Sequence, residues 1–482
     1  MPTPPNLAAL LENVVGKAAV IADPDALTVY ECDAFTIPKA KPLAVVFPQS
    51  AEQVAAVLRL LRRHGVAVVP RGAGTGLAGG IVAVTPGVQV SLARMNRILE
   101  IDLRNRTALV EAGVTNWGLS QAIAGSHYYF APDPSSQRAS TIGGNAATNA
   151  GGLHTLKYGV TVNHILGLEV VLEDGTIHAL GGPLGHAMGP DTTGLFCGTE
   201  GTLGIVTKVW CRLTPKPVAF RTAVALFPDP QHACEAVAEI VAAGIIPAAL
   251  EMLDQTMIGI VEDAFRLGLP KSAGALLLIE VDGQDIVVDG KSSLDGDLAH
   301  IQAICGKHGS TRFDASADPK RRAELWAARK RAFGAIGRIT PTYCTQDACV
   351  PRSKLPEVIR FVAGVGAKHG LRITNCFHAG DGNLHPAIMY DATRPDDIRR
   401  TLEAAHEILR YCISIGGVAT GEHGVGIEKL DLLRHMFSPA DLEAMHAIRR
   451  GLAPDDLLNP FKSLPREGVE IDVRSPGRNV PQ

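Results

Sequence analysis

An α+β chain of two principal domains is predicted from three observations. Strand-like and helix-like patterns alternate from Pro42 onward, and glycines gather in discrete blocks between Pro70 and Gly204. Near residue 218 the texture changes to longer helices between strands. At 482 residues the chain has room for two or three domains and a large core. Hydrophobic residues make up 46% and charged residues 20%, with a net charge of −3. That balance places the chain among folded proteins and leaves no basic surplus for nucleic acid.

Residues 1–40 are expected to form an N-terminal arm. The start, from Met1 to Pro5, has no basic stretch leading into an apolar core, so no signal peptide is expected. The longest apolar stretch, Ile240–Leu250, is too short to span a bilayer. Leu43–Phe47 reads as a strand. Ser50 then caps a helix to Arg63 that carries Val54, Val57, Leu58 and Leu61 at helical spacing. Val66–Val69 is a second strand, running into the glycine-rich stretch Pro70–Gly80. Val88–Val90, Leu99–Ile101 and Thr107–Val110 are expected to continue one sheet. A second glycine-rich block spans Pro132–Gly152. Strands Leu166–Leu172 and Val206–Leu213 then flank a loop with Gly198, Gly201 and Gly204, and Pro215–Pro217 is a plausible linker. The first domain is therefore placed at 41–217.

Residues 218–415 read as a second, α/β domain, with helices Gln231–Val241 and Pro319–Ile339 around strands such as Leu276–Glu280. Residues 416–482 carry a renewed glycine cluster, Gly416–Gly426, and a short tail at Leu457–Lys462. The nine cysteines are dispersed with no C-x-x-C. A disulfide framework or an iron–sulfur site within the chain is not expected, and reduced cytoplasmic thiols are.

Closely spaced glycines after a strand let successive backbone N–H groups curl around an anion, and a diphosphate is the natural guest of Arg71–Gly80. The pattern is neither a Rossmann fingerprint nor a P-loop, because no helix begins inside it and no Gly-Lys-Ser/Thr follows. The block Ser140–Gly152 is dense in small, uncharged hydrogen-bonding residues able to approach a flat polar heterocycle. Gly198–Gly204 has the same character. Three such loops in one domain suggest one long dinucleotide lying across them.

His378 and His385 flank Asp381-Gly382, a strong two-residue hairpin signal. With that pair as the loop, the histidines would sit directly opposite, about 4.5–5.5 Å apart at Cβ and able to share one cation. Gly421–Gly424 offers a carboxylate in Glu422 and an imidazole in His423. Neighbouring side chains diverge in an extended segment, so one of the two can bind metal while the other moves a proton. Two histidines and a carboxylate with open positions suit Zn²⁺, Mn²⁺ or Fe²⁺, with Zn²⁺ favoured. A helix that packs Trp326 inward would aim Arg329 at the same site, where its planar fork suits a carboxylate.

The three glycine-rich segments resemble the FAD-binding domain of the vanillyl-alcohol oxidase/p-cresol methylhydroxylase family, which implies two small subdomains clasping the flavin and a separate substrate, or cap, domain. The resemblance implies flavin contacts from Pro70, Arg71, Gly72, Ala73, Gly74, Thr75, Gly76, Gly79 and Gly80 in the first block. In the second it implies Pro132, Asp133, Ser140, Thr141, Gly143, Gly144, Asn145, Thr148, Asn149 and Gly151. Gly198, Glu200, Gly201, Gly204, Ile205 and Asn459 complete the set. No histidine lies between Pro70 and Gly80, so the FAD is expected to be non-covalent.

The stretch His378–His385 with Gly421–Gly424 is similar to the FAD-linked 2-hydroxyacid dehydrogenases acting on D-lactate, D-2-hydroxyglutarate or glycolate. The resemblance covers residues 40 to 462. It implies metal ligands His378, His385 and Glu422, His423 as the base, and Arg329 on the substrate carboxylate. It also implies companion flavin-fold and iron–sulfur subunits at the membrane surface. Relatives acting on hydroxy-dicarboxylates carry a lysine where this chain has Thr345, two positions before Asp347. The expected substrate is accordingly a small 2-hydroxy monocarboxylate, glycolate first and D-lactate second. A flavin-free metallohydrolase and a non-catalytic flavin subunit remain as alternatives; a yellow protein excludes the first, and flavin bleaching by a 2-hydroxy acid excludes the second.

Overall fold

A computed structural model describes residues 4–185 and 189–477. The chain divides into two compact units. One comprises Met1–Gly151, Gly159–Pro215 and Glu422–Gln482; the other comprises Gly152–Tyr158 and Lys216–Gly421.

The expected N-terminal arm is part of the first unit. Its helix Leu7–Val15 has Leu7, Leu11 and Val15 four residues apart, and all three are buried in that unit's core. Ser50 caps the helix Ala51–Arg63 by accepting a hydrogen bond from the Gln53 amide at 3.3 Å, and Val54, Val57, Leu58 and Leu61 line its buried face. The single continuing sheet does not form; its strands divide between two. Gly87–Ser91 pairs in parallel with both Ala44–Val46 and Ala67–Arg71, and Val20–Ile21 closes the far edge. With both of its edges taken, Gly87–Ser91 offers none to the strand that follows. Ile98–Asp102 therefore starts a second sheet, in the antiparallel order Ile98–Asp102, Thr107–Glu111, Ile205–Arg212, Ile165–Val171, Ile177–Gly181.

The second unit is built on one nine-stranded sheet in which every pairing is antiparallel, although helices alternate with strands in sequence. Its middle strands run in the order Ala219–Phe227, Ala275–Gly283, Ala249–Asp254, Arg372–His378. Helices Gln255–Phe265 and Pro319–Ile336 cover one face, where Leu253, Leu278 and Cys376 meet Met257 and Ala332. The segment Gly152–Tyr158, expected in the first domain, belongs here. The Tyr158 hydroxyl donates to Asp282 at 2.7 Å, and the His154 ring lies 5.5 Å from that of Trp326. Among the described residues, no helix is long and apolar enough to cross a membrane.

Candidate functional site

In the first unit, the glycine block leaves the strand Ala67–Arg71 and runs along the start of the helix Ile142–Thr148. That helix was not anticipated from its glycines; it forms because Thr141 caps it, accepting from the Gly144 amide at 3.1 Å. Gly72 abuts this cap: a Cβ there would stand 2.7 Å from Thr141 Oγ1. Gly198 and Glu200 donate their amides to Ala146 and Ala147 at 2.9 and 2.8 Å, laying the third loop on the helix C-terminus. Gly201, with φ +74°, turns that loop against Pro70. The three predicted segments thus meet. A cavity of about 450 Å³ opens where Gly72, Asn96, Thr115 and Thr141 face one another.

Several predicted cofactor residues serve to tie these loops. Asn459 Nδ2 donates to the carbonyls of Gly80 and Glu200 at 3.0 and 2.7 Å. The Glu200 carboxylate accepts from the amides of Val425 and Gly426 at 2.7 and 2.9 Å. Asn149 is the left-handed C-cap of the helix, and its Oδ1 accepts from Val162. Thr148 Oγ1 bonds back to Gly144 O. Gly79 is held from below by Asp33, whose carboxyl burial pushes up to about 7. Pro132 O accepts from Asn116, and Ile205 opens a core strand. Gly204 packs on Phe196, Gly143 on Ala112, and the Gly76 carbonyl accepts from Ala34. Ala73, Gly74 and Thr75 form the turn itself, Gly151 ends the segment, and Asp133 is half-buried.

Three buried polar atoms around these loops, Arg71 Nη1, Ser140 Oγ and Asn145 Nδ2, have no hydrogen-bond partner among the described residues. Each would cost about 1–3 kcal/mol if left so. Small-residue loops bordering a cavity, with an unpaired hydroxyl, amide and guanidinium, fit a ligand with a diphosphate and a polar ring system, as FAD has. Replacing Gly72 with Val is expected to lower the flavin bound per chain severalfold, read from the visible absorbance of the purified protein, because the added carbons displace the Thr141 cap. An unchanged flavin-to-protein ratio would show that this contact is dispensable.

In the second unit, the helix-covered face of the sheet carries a row of buried polar groups in an otherwise apolar surface. Ala249, Glu251 and Leu253 share that face, as do Cys376 and His378, because side chains alternate along a strand. Glu251 and His378 are directly opposite across the ladder. The helix Pro319–Ile336 lies over them and sends down side chains spaced by four, three and four residues. Arg322 and Trp326 bond Glu280 at 2.7 and 2.6 Å, Arg329 Nε bonds Glu251 at 2.8 Å, and the Phe333 ring meets the His385 ring edge-on at 6.2 Å. Trp326 is thus packed inward, as expected. Arg329 is only 2% exposed, and Glu251 engages its Nε and Nη2.

The hairpin register differs from the expected one. His378 pairs with Asn383 and Asn375 with Pro386, so the loop has four residues, Ala379–Gly382, rather than two. The longer loop is fixed by Asp381 and Gly382, whose amides donate to the carbonyls of His378 and Ala379. Gly382 adopts φ +74° directly beneath the Val350 carbonyl, a place only glycine fits. The register therefore slips by two residues in total. Because the side-chain period is also two, His385 becomes a diagonal rather than an opposite neighbour of His378 but stays on its face. The rings are 5.0 Å apart and perpendicular, and their ligand nitrogens lie within 4.8 Å of each other.

Both imidazoles face acceptors that fix their tautomer. His378 Nδ1 lies 2.7 Å from Glu251 Oε1, and His385 Nδ1 lies 3.1 Å from the Gln346 carbonyl. A carboxylate or carbonyl accepts from N–H at Nδ1, so the neutral ring carries its lone pair on Nε2, the form a metal ligand needs. Burial pushes the Glu251 carboxyl up, but Arg329 and His378 outweigh it and hold the group below the usual carboxylate range. This donor pair fits a borderline divalent cation. Asp347, fully buried nearby, accepts from Asn383 Nδ2 at 3.0 Å, Thr420 Oγ1 at 2.6 Å and the Gly421 amide at 3.1 Å. The chain leaves this unit from that anchor, and its next two residues are Glu422 and His423, whose side chains approach to 3.8 Å.

Glu251, Glu280 and Asp347 were not singled out from sequence as functional residues. For Glu251 and Glu280 a signal was present: each is a lone carboxylate inside a run of apolar strand residues, 249–253 and 275–281.

Residues 42–181 match the family described as FAD binding domain, and residues 216–463 match FAD linked oxidases, C-terminal domain. The chain is 42% identical over 459 residues to glycolate oxidase subunit GlcD of Escherichia coli (strain K12), covering 95% of this chain and 91% of that one. It is 34% identical over 430 residues to the probable mitochondrial D-lactate dehydrogenase of Danio rerio, covering 88% and 84%. In fold it matches p-cresol methylhydroxylase with a TM-score of 0.76 at 19% identity, over 95% of this chain and 96% of that one. The chain belongs to the FAD-linked oxidases, in the branch that holds the glycolate oxidase GlcD subunits and the D-lactate dehydrogenases.

Proposed function

We propose that the chain oxidises a short 2-hydroxy acid, glycolate first and D-lactate second, to the 2-oxo acid. What supports this is the buried pair of imidazoles, each with Nδ1 facing an acceptor so that the neutral ring presents Nε2, in a chain 42% identical to a glycolate oxidase subunit. His378 and His385 supply two metal ligands. Glu422, the residue after the anchored Gly421, supplies the third. Bound metal would act as a Lewis acid toward the substrate's carboxylate and C2 hydroxyl, with Zn²⁺ the favoured ion. Bound FAD would accept the C2 hydride at N5. His423 takes the hydroxyl proton, a task suited to an imidazole near neutral pH. Arg329, whose Nε and Nη2 are held by Glu251, is assigned to the substrate carboxylate.

Substrate length is limited by aromatic side chains. Tyr343 stacks on Phe333 with ring centroids 6.3 Å apart, and Phe333 borders His385. In Phe333→Ala, kcat/KM for a 2-hydroxy acid two carbons longer than lactate is expected to rise roughly 10-fold relative to glycolate, the scale set by a few methylenes in an apolar pocket. An unchanged ratio would remove Phe333 from the specificity assignment. The deciding experiment is anaerobic mixing of the yellow protein with glycolate, D-lactate, L-lactate and D-2-hydroxyglutarate. Glycolate and D-lactate should bleach the flavin quickly and D-2-hydroxyglutarate slowly; bleaching by none of them would refute the reading.

The cysteines are dispersed with no C-x-x-C, the wrong spacing for a cluster within the chain, so onward electron transfer is assigned to companion flavin-fold and iron–sulfur subunits, which would hold a cytoplasmic chain at the membrane surface. The naming of its relatives as glycolate oxidase subunits supports this. Turnover should be fast with a soluble dye and slow with oxygen; the reverse would argue for a free-standing oxidase.

A further inference from the structure

Glu251 occupies a position its surroundings would fill with a hydrophobe. Ala249 and Leu253, its neighbours on the same sheet face, are fully or nearly fully buried in the apolar core, and Glu251 itself is 0% exposed. A carboxylate is retained there only if its partners compensate the lost hydration. Its two oxygens are divided between them: Oε1 to His378 Nδ1 at 2.7 Å, Oε2 to Arg329 at 2.8 Å from Nε and 2.5 Å from Nη2. The cross-strand register sets Glu251 directly opposite His378, so that contact is built into the sheet rather than reached by a flexible loop.

We propose that Glu251 is a positioning residue of the metal centre, holding His378 in the tautomer and ring orientation that present Nε2 to the ion, with Arg329 fixing Glu251 in turn. This rests on the metal reading given above. The two histidines differ in a way that makes it testable. His385 is oriented by a backbone carbonyl, which substitution cannot remove, whereas His378 is oriented by a side chain, which it can. A carboxylate behind a metal-binding imidazole also raises its basicity, and removing such a partner typically weakens metal binding 10- to 100-fold. An ion pair serving only to bury Arg329 would leave metal affinity untouched.

The test uses the flavin-loaded chain, stripped of metal and titrated with Zn²⁺ against a chromogenic chelator. Glu251→Leu, which offers Nδ1 no acceptor, should bind Zn²⁺ 10- to 100-fold more weakly than the parent at unchanged flavin content. Should that variant fail to fold because it strands the Arg329 charge, the charge-balanced double variant Glu251→Leu/Arg329→Leu is titrated in its place, with the same loss expected. Zn²⁺ affinity within twofold of the parent in the folded variant would overturn the proposal while leaving the metal centre standing. A parent chain that binds no Zn²⁺ would overturn the metal reading itself, and this inference with it.

Discussion

His423→Asn is expected to yield a yellow, folded protein whose flavin is reduced by glycolate about 10²- to 10⁴-fold more slowly than in the parent, the range general-base removal produces. Asparagine keeps the size and some hydrogen-bonding capacity of the imidazole but cannot accept a proton. Flavin content and Zn²⁺ affinity should therefore stay close to the parent's. The contrast with a ligand substitution is diagnostic. His385→Ala should lose Zn²⁺ affinity, and excess Zn²⁺ should restore part of its rate; no amount of added Zn²⁺ should restore His423→Asn. Anaerobic stopped-flow measurement of flavin bleaching reads both. A His423→Asn rate equal to the parent's, or one rescued by Zn²⁺, would move the base to another residue.

A large effect on stability is also expected at Glu280. This carboxylate is 1% exposed and accepts from Arg322 Nε at 2.7 Å and Nη2 at 2.6 Å, Trp326 Nε1 at 2.6 Å and Thr222 Oγ1 at 3.0 Å. Burial pushes the group up, but His154 and Arg322 outweigh that and bring it down to about 2. Glu280→Gln removes the charge while leaving those donors in place; because Arg322 is about a third exposed and can rehydrate, the cost falls short of that of a fully buried pair, at roughly 2–3 kcal/mol. In a unit of this size the thermal midpoint should fall by about 10 °C. A shift under about 2 °C in a circular-dichroism melt would show that the neighbours rearrange freely.

The same group sets an acid limit. Its pKa is lower folded than the ordinary 4.5, so its contribution, on the order of 3 kcal/mol, is complete above pH 4.5 and is lost as pH falls through 2. The stability gap between parent and Glu280→Gln should narrow over that window. A gap that stays constant down to pH 2 would assign the stabilisation to shape rather than charge.

Much of the site was legible before any coordinates. The glycine blocks at Pro70–Gly80, Ser140–Gly152 and Gly198–Gly204 pointed to a long polar ligand because three small-residue loops in one domain let backbone amides approach it closely. The spacing of His378 and His385 placed both on one sheet face, and that survived an error in register. The four-residue loop displaced the pairing by an even number, which parity forgives; an odd slip would have turned one imidazole to the opposite face.

What the linear chain withheld were the partners of its buried charges. Glu251 reads as an oddity in a strand until His378, 127 residues away, and Arg329, 78 residues away, are seen on either side of it. Glu280 likewise waits on Arg322 and Trp326, and Gly152–Tyr158 changes unit because His154 and Tyr158 find partners in the second sheet. Periodicity, caps and turn residues act over a few neighbours and can be read in order. A buried carboxylate is compensated through space, by whichever groups the folded sheet and helix bring within 3 Å, and no local pattern encodes which those are.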